Sequence, residues 1–197
     1  MKVFFVFLFL LHVATITGQP KLDYGTMQAD SNFNCADDVE KFYFGVDNIC
    51  NSKNELEIRL RIFSFPGGPS ELIDLYYSNG KWCAEKFKST RQGGNVTIKE
   101  HSAYNIPADD QPIFNIQFNG LFERLRQNNI FLLPNQGLLN YQKTIHDGVG
   151  FSLTFKAGNS YRRYHFDNPY QYQNNYPDIK EFRNYTNICN ALINLFK

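Results

Sequence analysis

The stretch LEIRLRIFSFPGGPSELIDLYYSNGKWCAEKFKS, Leu56 to Ser89, decides the fold. It opens in strict alternation: Leu56, Ile58, Leu60 and Ile62 point one way, and Glu57, Arg59 and Arg61 the other. A period of two marks a half-buried strand, because successive side chains leave opposite faces of the pleat. PGGPS breaks the run. The next run contains Asn79-Gly80, a pair that tolerates the positive φ of a two-residue hairpin turn. Counting outward sets Tyr77 opposite Trp82, Leu75 opposite Ala84 and Asp74 opposite Glu85. Ile73, Leu75, Tyr77, Trp82 and Ala84 then share one apolar face that continues the face of the first strand. Placing Ile62 beside Ile73 brings Arg61 next to Asp74, where it offsets the Asp74–Glu85 repulsion. On this reading Arg59, Arg61, Asp74 and Glu85 form a solvated face, whose exposed pairs are worth about 0–1 kcal/mol.

A second hairpin follows from FSLTFKAGNSYRRYHFDNP, Phe151 to Pro169. With Gly158-Asn159 at the turn, Phe155 meets Arg162, Leu153 meets Tyr164 and Phe151 meets Phe166. On the other face Thr154 meets Arg163 and Ser152 meets His165. One register sorts both strands, which favours pairing. Asn168-Pro169 stops the second strand, since proline lacks the ladder N–H.

Between the hairpins, a strand is expected over Asn95–His101. A helix is expected after the caps Asp109 and Asp110, with Pro112 in its first turn and Phe114, Phe118, Leu121, Phe122 and Leu125 along one stripe. Ile130–Pro134 reads as a short buried strand. The closing PDIKEFRNYTNICNALINLFK predicts an amphipathic helix opening at Pro177. Its seam is Ile179, Phe182, Thr186, Cys189, Ile193 and Phe196. That seam runs for fewer than about three heptads, which predicts intramolecular packing and a monomer rather than a coiled-coil pair. Asp37–Phe44 predicts a short helix, and the Tyr/Gln/Asn-rich YQYQNNY a loop. Helices segregated from antiparallel hairpins make an α+β protein. It has an antiparallel sheet of about five to seven strands, packed with a mid-chain helix and a C-terminal amphipathic helix.

The chain begins MKVFFVFLFLLHVATITGQP. Lys2, an apolar run and small residues up to Gly18 form the three parts of a secretory leader, so residues 1–18 are read as a signal peptide. Residues 19–54 are an amino-terminal segment, loose over 19–34, and 55–197 a single domain. The expected location is secreted or periplasmic and soluble, with no stable membrane insertion after cleavage. Without Lys2 the charges stand at 19 basic against 19 acidic, because residues 1–18 hold no Asp or Glu. That balance argues against bulk attraction to nucleic acid, although a local basic patch fits within it. Secretion permits disulfides among Cys35, Cys50, Cys83 and Cys189. Cys35 and Cys50 form the natural local loop, which leaves Cys83 to bridge to Cys189 on the helix seam. No spacing matches a metal site, and no cofactor motif occurs.

The leader ending before a glutamine, LEIRLRIF, NGKWCAEKF, NNIFLLPNQ, DGVGFSLTF, YRRYHFDNP and the final helix together resemble small secreted proteins of unknown function from Gram-negative bacteria. The resemblance spans about residues 55–197 and implies location and an α+β build. It carries no activity and no catalytic residues.

Two chemistries follow from the residues. Ser152 and His165 share a hairpin face with Asp167 beyond, which raises a nucleophilic triad. A flat strand face, however, offers no oxyanion donors, and no G-x-S-x-G turn is present. Tyr170, Tyr172 and Tyr176, spaced by Gln and Asn and close to Arg163, suit recognition of a protein or glycan, since each ring offers an apolar face and a hydroxyl. The sequence therefore points to a non-enzymatic binding protein acting through an aromatic loop. A hydrolase using the Ser152/His165 face and an inhibitor or immunity-type protein are the alternatives. Asn95-Val96-Thr97 and Asn184-Tyr185-Thr186 fit the glycosylation sequon.

Overall fold

The computed structural model describes residues 27–31, 33–36, 39–65, 68–92, 95–104, 111–145 and 147–197, with backbone alone at 92 and 111–114. The leader, the Asp109/Asp110 caps, Gly93-Gly94 and His146 lie outside the described residues. Among those described, six strands form one antiparallel sheet: β1 (Leu56–Ser64), β2 (Ser70–Ser78), β3 (Lys81–Gln92), β4 (Asn95–Ala103), β5 (Val149–Ala157) and β6 (Ser160–Asp167). The spatial order is β4-β3-β2-β1-β5-β6, so β1 is central and each hairpin extends the sheet on one side of it. Among the described residues four α-helices accompany it: α1 (Val39–Phe44), α2 (Gln111–Gln127), α3 (Pro169–Asn175) and α4 (Lys180–Ile193). This is the α+β architecture with the mid-chain and C-terminal helices in place. No helix among the described residues is long and apolar enough to cross a membrane.

Both hairpin registers are as the alternation dictates. Tyr77 faces Trp82 and Asp74 faces Glu85, while Leu153 faces Tyr164 and Ser152 faces His165. The β1–β2 register differs by two residues. Leu60, not Ile62, sits beside Ile73, and Arg59, not Arg61, sits beside Asp74. β1 ends at Ser64 and β2 opens at Ser70, which pairs with Phe63. A shift of two preserves which face each residue takes.

The helix face of the sheet holds the main core. Trp82 lies under α2 against Phe118 and Phe122, and its indole N–H donates to Asn119 Oδ1 at 3.0 Å. Phe166 stacks on Tyr185 of α4 at 3.9 Å between ring centres. The buried face of α4 is wider than the six-residue seam, adding Tyr185, Ile188 and Leu192. The helix opens at Lys180 rather than Pro177, after a turn in which the Ile179 N–H donates to Tyr176 O.

Ile130–Pro134 forms turns, not a strand. Asn129 adopts a left-handed φ of 58° and ends α2. The amides of Leu132 and Leu133 then donate back to Asn129 O. Those amides are committed locally and cannot join a ladder, although Ile130, Phe131 and Leu133 are still buried. YQYQNNY is likewise not a loop. Asn168, left-handed at φ 46°, turns the chain so that Pro169 opens α3, and its carbonyl accepts from the amides of Gln171 and Tyr172.

The middle of the opposite face of the sheet is not solvated. The described residues between 28 and 54 run across it. Phe33 stacks on Tyr161, the Asp30 N–H donates to Tyr161 O, and α1 lies over β2–β4. Phe44, Leu72 and Phe87 form a small second core there. Beneath the cover Glu57 is 1 % exposed, Arg59 4 % and Asp74 6 %. The expectation of a solvated face at Arg59, Arg61, Asp74 and Glu85 is thereby corrected: these side chains alternate as read, but the amino-terminal segment buries Arg59 and Asp74 and leaves Arg61 and Glu85 half-buried. Cys35 and Cys50 form a disulfide within that segment. Cys83 and Cys189 are free thiols. Trp82 and Ala84 point to the helix face, so Cys83 points to the other, and the sheet stands between it and Cys189 on α4.

Candidate functional site

The covered face has an ionic floor and an open groove at its edge. The floor is built on β1. Arg59 places Nη2 2.5 Å from Glu57 Oε1 and Nε 3.2 Å from Asp74 Oδ2, and donates from Nη1 to Asp47 O at 2.7 Å. Glu57 also accepts from the Ser52 hydroxyl and from Asn54 Nδ2. Lys156 of β5 donates to Ser52 O and Asn54 O. Residues 47–54 are thus stitched to the sheet by buried charge-assisted bonds, the stronger class of hydrogen bond. Burial, then the neighbouring Glu57, pushes the Asp74 carboxyl well above the usual carboxylate range, against the pull of Arg59.

The groove starts where the outward positions of β1 change from charged to aromatic. Arg61 lies with its guanidinium 4.7 Å over the Phe63 ring, and Phe63 meets Phe65 edge-on at 5.1 Å. Tyr43 of α1, Arg61, Phe63, Phe65, Ser70 and Arg91 line an open pocket of about 250 Å³. Gly150 floors the aromatic wall: a Cβ there would lie 2.4 Å from Phe63 Cζ, so only glycine lets Phe63 lie flat. Arg61 also borders a second depression of about 210 Å³ with Glu40, Ser152, Arg163 and His165. His165 also stacks on Phe63 at 5.6 Å, so a run of rings, Phe65–Phe63–His165, joins the two.

The structure therefore brings together three of the residues singled out from the sequence, Ser152, His165 and Arg163, with Asp167 beside them. His165 Nε2 lies 2.9 Å from Asp167 Oδ1. Burial alone would raise the Asp167 carboxyl, but its hydrogen bond from Lys143 and the neighbouring His165 hold it below its ordinary value. No hydrogen bond joins Ser152 to His165 among the described residues. Ser152 sits in an interior strand paired on both sides, with Arg61 and His165, so its neighbouring amides face ladder partners rather than a reacting oxygen. Arg163 donates from Nε to Thr154 Oγ1 and lies 5.1 Å over Phe33.

The three tyrosines lie elsewhere, on the helix side. Tyr172 is 0 % exposed; it stacks on Phe182, and its hydroxyl accepts from the amides of Thr144 and Ile145. Tyr170 donates to Asn190 Oδ1 and packs on Phe151. Tyr176 donates to Gln142 O. Together they anchor the 139–145 segment and α3 to α4. Sequence reasoning passed over Phe63, Phe65 and Arg91, and set Arg61 aside as solvated. The switch from Arg59 and Arg61 to Phe63 and Phe65 on one parity of a single strand is the signal that points to them. Among the described residues no group of His, Cys, Asp and Glu side chains is arranged to hold a metal ion. Comparison with protein-family models, with curated proteins and with solved structures found no match.

Proposed function

We propose that this is a secreted or periplasmic, non-enzymatic binding protein that takes an acidic sugar residue of a glycan in the Tyr43/Phe63/Phe65/Arg91 pocket. The carrying observation is the convergence of aromatic faces, two arginines and the Ser70 hydroxyl on one open pocket of about 250 Å³. Sugar rings stack their C–H faces on aromatic rings, and a guanidinium fork matches a carboxylate. Phe65 is 49 % exposed, so its ring is open to a ligand in the pocket. The Cys35–Cys50 disulfide suits an oxidising compartment. The aromatic recognition surface moves in this reading from the tyrosine segment to the end of β1, because Tyr172 has no accessible ring face.

Calorimetric titration with tetragalacturonate, a uronic-acid oligomer, against neutral maltotetraose tests the reading. Saturable binding of the acidic oligomer, weakened at least about tenfold by Arg91→Ala and by Phe65→Ala, is expected. Equal binding of both oligomers, or binding of neither, refutes it. The His165–Asp167 pair beside Ser152 favours hydrolysis as the second reading. It requires ester or glycoside turnover that disappears in a folded His165→Ala variant.

A further inference from the structure

The ionic floor carries an imbalance that neither the fold nor the groove explains. Five titratable side chains are buried in it: Glu40 of α1, Glu57 and Arg59 of β1, Asp74 of β2 and Lys156 of β5. Glu40 borders a depression with Arg61, and Lys156 is committed to the carbonyls of Ser52 and Asn54, which leaves Glu57 and Asp74 sharing one guanidinium, Arg59. With both carboxyls ionised that cluster holds one uncompensated negative charge out of water, an arrangement proteins avoid by neutralising a group. The remaining groups facing Asp74 do not correct it. Glu85 lies directly opposite on β3 and adds negative charge. Its carboxylate already accepts from the Tyr76 hydroxyl and contacts His101 Nε2. Cys83 on β3 supplies a thiol beside Tyr76. Arg61 lies further along β1 at the groove, and Lys41 of α1 pairs with Asp47 at the exposed rim, 3.6 Å away.

Two buried carboxyl oxygens of the cluster lack a hydrogen-bond partner, Glu57 Oε1 and Asp74 Oδ1. Glu57 Oε1 lies 2.5 Å from Arg59 Nη2, and Glu57 Oε2 accepts from Ser52 and Asn54, whereas Asp74 has only the bond from Arg59 Nε to Oδ2, so Asp74 Oδ1 is where the balancing proton resides. A buried carboxylate oxygen without a partner is poorly stabilised as an anion and well placed to carry a proton. Arg59 is also the link to the cover, through its bond to Asp47 O.

We propose that Asp74 is a pH-sensitive latch: carrying a proton it lets residues 39–54 close over the sheet, and on losing that proton it leaves a buried net charge that loosens this strap. Tyr43, a wall of the groove, lies on the strap, so loosening it dismantles the pocket. That consequence rests on the groove being the ligand site; the latch itself does not. The direction follows from linkage. The closed-state carboxyl holds its proton to higher pH than the open-state one. The latch is therefore complete below the open-state pKa and is lost as pH rises through the closed-state pKa. Between the two, the open fraction grows about tenfold per pH unit.

Hydrogen–deuterium exchange over residues 39–52, corrected for intrinsic rates across pH 4–8, reads the latch without any ligand. Wild type should lose protection as pH rises. Asp74→Asn, an uncharged stand-in for the protonated carboxyl, should stay protected throughout. Flat protection in wild type, or an unchanged pH response in Asp74→Asn, overturns the proposal. The carbon-13 titration of the Asp74 carboxyl in wild type is a second test that needs no variant, and a midpoint at the ordinary aspartate value overturns it too. Tetragalacturonate titrations on the same samples separate the two proposals. A pH-dependent strap with no saccharide binding sustains the latch and removes the ligand reading. Saccharide binding with flat strap exchange does the reverse.

Discussion

Replacing Arg59 by leucine distinguishes a covered sheet face from a solvated one. Arg59 is the cation shared by Glu57 and Asp74, and the donor to Asp47 O. Its removal leaves two carboxyls that are 1 % and 6 % exposed without their guanidinium. Breaking a buried pair from one side costs about 3–5 kcal/mol, because the remaining charge stays desolvated. For a chain of this size that lowers the melting temperature by about 6–20 °C. Were the face open to water, the same change would be worth about 0–1 kcal/mol. Urea unfolding monitored by Trp82 fluorescence, repeated at pH 5 and pH 8, supplies the comparison. The deficit should shrink at the lower pH, where the orphaned carboxyls take up protons. The triple change Glu57→Gln/Arg59→Met/Asp74→Asn should recover most of the loss, since it removes the charges together. A deficit under about 1 kcal/mol for Arg59→Leu alone would refute the covered-face account.

Other consequences are open to direct measurement. Thiol titration of the unfolded, unreduced protein should count two free cysteines, and reducing Cys35–Cys50 should lower stability by about 3 kcal/mol in the chain-entropy model. Gly120 lies inside α2 with nothing within 4 Å of where a Cβ would stand, so Gly120→Ala should raise stability by up to about 1 kcal/mol. Tyr172→Phe keeps the buried ring but strips the acceptor from the amides of Thr144 and Ile145, a loss of about 1–3 kcal/mol in equilibrium unfolding. Gly150→Ala should displace Phe63 and weaken binding at the groove more than it weakens the fold.

The strands were legible because their information is local. Asn79-Gly80 and Gly158-Asn159 each fix a turn, and alternation on either side fixes which residues meet, so Leu75–Ala84 and Thr154–Arg163 pair as counted. Where two strands join through a longer connection, alternation fixes the parity but not the offset. Arg59 rather than Arg61 therefore reaches Asp74. The Cys83–Cys189 pairing failed against information already present, since the register that turned Trp82 inward turned Cys83 away from α4. The segments read as loop or strand, 169–175 and 130–134, failed because left-handed asparagines at 168 and 129 decide them, and periodicity does not register a single φ. The cover over the outer face was the least legible feature. Residues 28–54 carry little periodicity, and nothing in Glu57 or Asp74 announces that another part of the chain will shield them. The candidate site was half visible for the same reason. Ser152, His165 and Arg163 emerged from the hairpin count, whereas the pocket at Phe63 and Phe65 needs α1 to supply its wall.

The most direct test of the account is the titration of the folded protein with tetragalacturonate beside the Arg91→Ala and Phe65→Ala variants. Saturable binding in wild type, reduced at least about tenfold in both variants with their unfolding curves unchanged, is the predicted result. Wild-type binding that both variants retain, or no binding to the acidic oligomer at all, would contradict it.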